Sequence, residues 1–584
     1  MIGHSALKPS QTLILGRAAA LLLLVVEIAT AAVLPKIVTW DPSYGILAAQ
    51  QHLEGVSPSI LTLVEADPND LSKPTVIEIP FWPPSYQAVP LWLRFGRFDW
   101  GTALKVTAVM VLVLAAAGWY ATFKTVSGSE PVAWWLLAAM LASRYAWRTT
   151  TEYNGGDNLL WATAPWAFVL TVAAMRERKS GWWIAAIAGL FSGALLIVKY
   201  SGVFVTIGLG AACVILTIRH PRRWIRGTFW LFGAAVAVLV IRHAGFPQGL
   251  TAVNRPGLEQ KSGADALLSL GVWTMGMTDL ESFCRKVLSS TGASETSNQV
   301  SGIILTLLVV GSILLYLTTL QLPRGISAKI RFLNEFSDAA IIACCAAFAD
   351  IFCVFTLIFI GRNVPTTGRL GRIAGLFLLP LLAIAWTQLR KGPSALGRWV
   401  GNGCLLIFLI VPMAYGVIGA VPAATSAWKA RTSAAWCGGV LNPWLEADQQ
   451  VFYKELLSRI DADTCTYTIY PQMVFPISER PFTLMEEQFL KRPDVLKRFT
   501  YRGLPAGGVA LLVPKVLLGD GILELIKSSF LDIRTWEAVP IQSDPRWVLW
   551  ISRSPVGPRT RISALRRPRA AQGPARNGPA ALLD

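Results

Sequence analysis

Charge is scarce in this chain. Only 15% of its 584 residues are Asp, Glu, Lys or Arg, against about 25% in soluble domains, so an ordinary water-soluble globule is excluded. The eight cysteines include no CxxC pair and no histidine at metal-ligand spacing, which removes zinc modules and dithiol redox motifs. No internal repeat is visible, direct or inverted, and that counts against the transporters built from such repeats. Acids are few, 35 against 53 Lys and Arg, for a net charge of +18. In a soluble chain that balance suggests nucleic acid. In an apolar one, Lys and Arg mainly set membrane orientation, and no nucleic-acid partner is expected.

Long hydrophobic runs are abundant, with 53% of residues apolar and a mean hydropathy of +0.48. They predict eleven membrane spans: Thr12–Leu34, Thr102–Phe123, Val132–Trp147, Asn158–Met175, Gly181–Val198, Ser201–Ile218, Phe229–Ile241, Val300–Leu322, Asp338–Ile360, Ile373–Leu389 and Trp399–Val421. A span needs roughly 17 to 25 residues, so the shorter runs borrow from their flanks. Lys8, Arg17 and Ala29-Thr30-Ala31 imitate a signal peptide. The run is too long for a signal core and contains Glu27, so an uncleaved first helix is expected.

Basic clusters at Arg176 to Lys179, Arg219 to Arg226, Arg324 to Arg331 and Arg390 to Arg398 all fall on one side of an eleven-span chain. The positive-inside rule makes that side, and the N-terminus, cytoplasmic. Three regions then face outward: Pro35–Gly101, the surroundings of Ala244–Gln299, and everything after about Pro422. In the last, Thr464–Tyr470, Gly508–Val513 and Trp547–Ile551 read as strands. Ala447–Ile460 reads as a helix burying Val451, Phe452, Leu456 and Ile460. The expected fold is therefore an all-α polytopic membrane domain with outward loop helices (1–421), followed by a small α/β extramembrane domain (435–552) and a disordered basic tail (555–584). An oxidising compartment would permit a Cys437–Cys465 disulfide, which sequence alone does not establish.

Several cations contradict the expected poverty of Lys and Arg in outward loops. Lys199 interrupts LLIVKYSGVF, Arg362, Arg369 and Arg372 crowd GRNVPTTGRLGR, and Arg144 and Arg148 lie near the outer end of the third span. Each alone reads as snorkelling to headgroups. Together on one face they point to an anion, with a lipid phosphate the natural one at that depth. Two acids share the face. Asp41, in VTWDPSYGILAAQQHLEG, precedes Pro42 and suits a helix N-cap. Asp157, in GGDNLLW, precedes the fourth span and suits one equally. A capping carboxylate retains free lone pairs, so capping and chemistry are compatible. Within spans lie Glu27 and Asp350, the latter read as a protonated helix-packing group near mid-bilayer without an evident partner.

The order of these parts resembles the C-type glycosyltransferase superfamily, in particular its protein O-mannosyltransferase and lipid A aminoarabinose transferase branch. The matching stretches are TWDPSYGILAAQQHLEG, FWPPSYQAVPLWLRFG, GGDNLLW, GLFSGALLIVKYSG and GRLGRIAGLFLLP, over most of residues 12–420. The resemblance implies an enzyme of the bacterial inner (plasma) membrane that takes a sugar from a polyprenyl-phosphate donor to a hydroxyl on a glycan, lipid or protein. It implies Asp41 as general base on the face opposite the leaving group, giving inversion. Lys199, Arg369 and Arg372 would hold the leaving phosphate, Asp157 would orient acceptor, base or a cation, and Tyr44, Trp82 and Tyr86 would line the substrate groove. Phe81-Trp82 replaces the Glu-Lys that relatives place before Pro-Pro, and Asp41-Pro42 replaces a double acid. Glu78 is the remaining acid nearby, and the need for a divalent cation stays open. The other readings are a ligase or polymerase of polyprenyl-diphosphate-linked glycans, a secondary transporter, and an inactive scaffold presenting its outer domain.

Overall fold

The computed structural model describes residues 9–39, 42, 43, 46, 62–67, 70–78, 98–176, 181–243, 263–289, 295–319, 337–360, 367–445, 448–473, 482–484, 507–517, 522–528, 530 and 533–552. Among them are ten helices long and apolar enough to cross a membrane, from Ser10–Val33 to Ala395–Lys429. They lie on ten of the eleven expected runs.

The third span differs. Glu130–Ala142 is an apolar helix of only 13 residues, about 20 Å long at 1.5 Å per residue, short of a hydrocarbon core of roughly 30 Å. Ser143 leaves the helical region, at φ −65° and ψ 150°, and the chain restarts as a separate rim helix, Arg144–Thr151. That helix is amphipathic. It buries Tyr145, Ala146 and Thr149, while Arg144 and Arg148 point the other way, one turn apart. Gly416 of the last helix lies against the break, where a Cβ would come within 2.0 Å of the Ala142 carbonyl oxygen. Only glycine lets the two backbones approach so closely.

One end of the bundle is tied by a parallel three-stranded sheet. Lys36–Val38 runs between Glu152–Tyr153 and Val440–Leu441, so it joins the chain leaving the first helix, the rim helix and the segment after the last span. Lys36 is fully buried there. Its Nζ donates to the carbonyl of Ala31, at 2.9 Å, and to that of Thr150. Both acceptors sit in final helical turns, whose carbonyls lack intrahelical donors. One side chain thus closes two helices.

Burial, with a lesser push from Lys105, lowers the Lys36 amine to about 7, against about 10.4 in an unfolded chain. Across that window the unfolded state holds a proton that the folded state does not. Stability therefore rises with pH through the window and is lost as pH falls through its lower edge. Thermal unfolding of detergent-solubilised protein should show this upward slope, and Lys36→Met should flatten it.

Three short helices, Gly263–Ser269, Val272–Met277 and Leu280–Ser289, stand at the same end as the sheet. The second packs on a glycine stripe of the late span Gly368–Lys391. A Cβ on Gly276 would lie 2.0 Å from the Gly368 oxygen, and one on Gly371 would lie 2.4 Å from the Trp273 Cα. A second anchor comes from the last span, which contains a π-helical turn at Leu406–Ile410. Inside it the carbonyl of Phe408 accepts a hydrogen bond from Thr278 Oγ1 at 2.9 Å.

The described residues divide into two compact units, and the second holds the C-terminal sheet. Val509–Pro514 is its centre, parallel to Cys465–Thr468 and antiparallel to Trp547–Ser552, with Phe482–Leu484 and Glu537–Val539 at the edges. The helix Gln449–Arg459 follows the expected pattern at Phe452, Leu456 and Ile460, all buried. Val451 is instead exposed and Tyr453 takes the inward place, because the helix turns its face by one residue. Glu455 accepts the backbone N–H groups of Gln542 and Ser543 at 2.8 and 2.9 Å. Cys437 and Cys465 are not joined by a disulfide. The tail 555–584 lies outside the described residues.

Candidate active site

Asp157 is the second residue of the helix Gly156–Met175. The N-cap is Gly155, at φ 52°, with no side-chain cap. The carboxylate is used elsewhere. Its Oδ1 receives Lys199 Nζ and its Oδ2 pairs with Arg369 Nη2. A first-turn Asp is also favoured by the helix dipole. Lys199 occupies the tight corner between Gly181–Val198 and Gly202–Arg219, where a Cβ on Gly202 would come within 2.4 Å of the Leu195 oxygen. Arg369 begins the late span, whose first N–H, that of Gly368, is accepted by Glu281 Oε2 at 2.6 Å. One buried acid thus gathers two cations, each from a different element of the chain.

Arg372 stands one turn further along. Its guanidinium lies 3.4 Å from the centroid of the Tyr145 ring, and the Tyr145 hydroxyl donates to Asn158 Oδ1 at 2.9 Å. Arg372 is buried, its Nε has no hydrogen-bond partner among the described residues, and its Nη2 is 4.0 Å from Asp279 Oδ1. Asp350, read from the sequence as a helix-packing acid, is buried, and its Oδ2 has no hydrogen-bond partner among the described residues. It borders a cavity of about 10 Å³ together with Asp157, Lys199, Ser201, Arg369 and Arg372, room for about one water, which places it beside the cation cluster.

Above the cluster opens a cavity of about 960 Å³. Arg369 and Arg372 line it, as do Arg144 and Arg148 of the rim helix. Arg148 pairs with Glu152 at 2.8 Å, whereas Arg144 donates to the Tyr415 hydroxyl at 2.9 Å. Thr39, two residues before Asp41 in the chain, is on the cavity wall and donates through Oγ1 to Asn154 Oδ1 at 3.1 Å. Pro42, Ser43 and Ile46 are helical. Asp41, Tyr44, Trp82, Tyr86 and Arg362 lie outside the described residues.

Sequence reasoning missed Asp279, Glu281 and Tyr415. Asp279 has the one available signal: it follows the helix Val272–Met277 at the position where glycine or asparagine ordinarily ends a helix. Among the described residues no group of three or more His, Cys, Asp or Glu could hold a metal ion. Glu78 falls in the strand Asp70–Glu78, and its side chain is outside the described set.

No family model matches the chain, and no curated protein matches it. Among solved structures it is similar to the ArnT protein from Cupriavidus metallidurans bound to undecaprenyl phosphate. That likeness has 12% identity and a TM-score of 0.49, over 93% of this chain and 98% of that one. It is also similar to the archaeal oligosaccharyltransferase AglB from Archaeoglobus fulgidus in complex with an inhibitory peptide and a dolichol-phosphate. There the identity is 11% and the TM-score 0.43, over 92% of this chain and 74% of that one. At such identity neither likeness says what this chain acts on.

Proposed function

We propose that the chain is an integral membrane glycosyltransferase that moves a hexosyl or pentosyl group from a polyprenyl-phosphate donor to a hydroxyl of a glycan, lipid or protein. The observation that carries this reading is the cation cluster beside the large cavity, which Arg369 and Arg372 line. Lys199 and Arg369 meet on a single carboxylate, and among the described residues the Nε of Arg372 beside them has no hydrogen-bond partner. Three cations thus converge where a phosphate could enter, and in a water-poor site such charge-assisted contacts are strong.

The reaction needs a base on one side of the anomeric carbon and a stabilised leaving group on the other. Asp41 removes the acceptor proton as the oxygen attacks, and the phosphate departs toward the cations with inversion at carbon. No second acid is required, because a lipid phosphate is already a good leaving group. Thr39 on the cavity wall supports Asp41 in this role. Tyr44, Trp82 and Tyr86 line the substrate groove. The site faces the extracytoplasmic side of a bacterial inner membrane, with a membrane domain over 1–421 and an extramembrane domain over 435–552.

Mass spectrometry of surface glycans and glycolipids from cells with and without the gene tests the reading. Loss of one sugar modification is expected, and identical profiles would count against a transferase. The additional cavity cations, Arg144 and Lys286, favour one second reading, a ligase using diphosphate-linked donors. It predicts turnover of a polyprenyl-diphosphate glycan in preference to the monophosphate.

A further inference from the structure

We propose that Asp279 is a sugar-binding residue, its carboxylate accepting hydrogen bonds from hydroxyls of the glycosyl group whose phosphate Arg372 holds. This rests on the polyprenyl-phosphate reading above and adds a residue and a role to it.

Asp279 is buried yet borders the large cavity. Among the described residues the hydrogen bonds it receives come from the Ser282 hydroxyl, at 3.3 and 3.4 Å. Both are long for an O–H donor meeting a carboxylate. The nearest cation, Arg372, stops at 4.0 Å, outside hydrogen-bond range. A pair kept for stability would close that gap. Here both partners retain bonding capacity, Arg372 through its Nε and Asp279 through its oxygen lone pairs.

The backbone adds an independent observation. Asp279 is the one non-glycine residue with positive φ among those described, at 61°, in the left-handed region that is sterically disfavoured for an L-residue. Glycine would occupy it without strain. The chain instead spends an acid there and braces it on two sides. The glycine contacts beneath Val272–Met277 fix one side, and the bond from Thr278 to the π turn fixes the other. Strain of this kind concentrates at functional sites.

The ligand class follows from the charges. A carboxylate seeks N–H or O–H donors and repels phosphate. Arg372 borders both the small cavity of the cation cluster and the large cavity that Asp279 borders. In a glycosyl phosphate the ring hydroxyls lie next to the phosphate-bearing carbon, so one guanidinium can hold the phosphate while the acid beside it receives a hydroxyl.

Binding to the purified full chain in nanodiscs tests this, with decaprenyl phosphate and with decaprenyl phosphate bearing a hexose or a pentose as probes. Asparagine also tolerates positive φ, so Asp279→Asn removes the charge and keeps the backbone. Burial holds the Asp279 carboxyl above its ordinary range. Its charged form therefore weighs against the fold once pH exceeds that raised value, and the variant should be at least as stable as the parent at neutral pH. The expected result is sugar-bearing lipid bound about ten-fold more weakly by the variant, the loss of one charge-assisted hydrogen bond, with bare decaprenyl phosphate bound at least as tightly as by the parent. Asp279→Gly, free of backbone strain, should behave alike. Equal weakening of both lipids would make Asp279 only a support for Arg372 and overturn the proposal, as would unchanged binding of both. If the unmodified protein binds neither lipid, the donor reading itself falls, and this role with it.

Discussion

Replacing Asp157 by alanine should destabilise the protein by about 3–5 kcal/mol, the usual consequence of stranding a buried charge. Lys199 dominates that figure, since its side chain is 12% exposed, whereas Arg369 keeps 34% exposure and regains water more readily. A lowered thermal midpoint in detergent, with loss of sugar transfer, is the expected outcome. Replacing both members of the inner pair by apolar residues, Asp157→Leu with Lys199→Met, separates the two effects. Paired apolar replacements of buried ion pairs are often neutral or stabilising. The double variant should therefore recover most of the lost stability and none of the activity. A double variant that transferred sugar at the parental rate would remove Lys199 from the phosphate site.

A second large effect is expected at Asp41. Asparagine caps a helix about as well as aspartate, and the Ser43 N–H already bonds the Thr39 carbonyl at 3.1 Å, so Asp41→Asn should leave the fold intact. An amide cannot accept the acceptor's proton, and the loss in kcat should be about 10²–10⁴-fold. Donor affinity should hardly move, because the cations that grip phosphate are other residues. Full turnover by a well-folded Asp41→Asn protein would eliminate the base role.

Much of the bundle is legible in the sequence because membrane spans are written in composition alone, without reference to partners. The cations are legible for a related reason. On the orientation expected from the basic loops, Lys199, Arg369 and Arg372 fall on the side that should be poor in positive charge, and that expectation needs no knowledge of what they touch. Asp157 was ambiguous, since a first-turn acid and a cation-gathering acid look alike in one dimension. The break at Ser143 was hidden, because serine is tolerated in helices and the run into Trp147 holds just one charge, Arg144. The three-stranded sheet was hidden too, its strands being two or three residues long, too short for any period to show. Asp279 owes its position to helices near residues 371 and 408, about a hundred residues away in sequence, and no local window reports such a contact.

The π turn at Leu406–Ile410 also constrains how this chain can change length. A π turn holds one residue more than an α-helical turn would, and that surplus accompanies the carbonyl offered to Thr278. Removing a single residue there would exchange five residues of π turn for four of α-helix, which cover nearly the same angle and rise, so Tyr415 and Gly416 beyond it would keep their faces. What would be lost is the displaced carbonyl that Thr278 bonds. A one-residue gap is therefore expected to be absorbed at that turn, whereas one elsewhere in the span would rotate everything after it by roughly 100°.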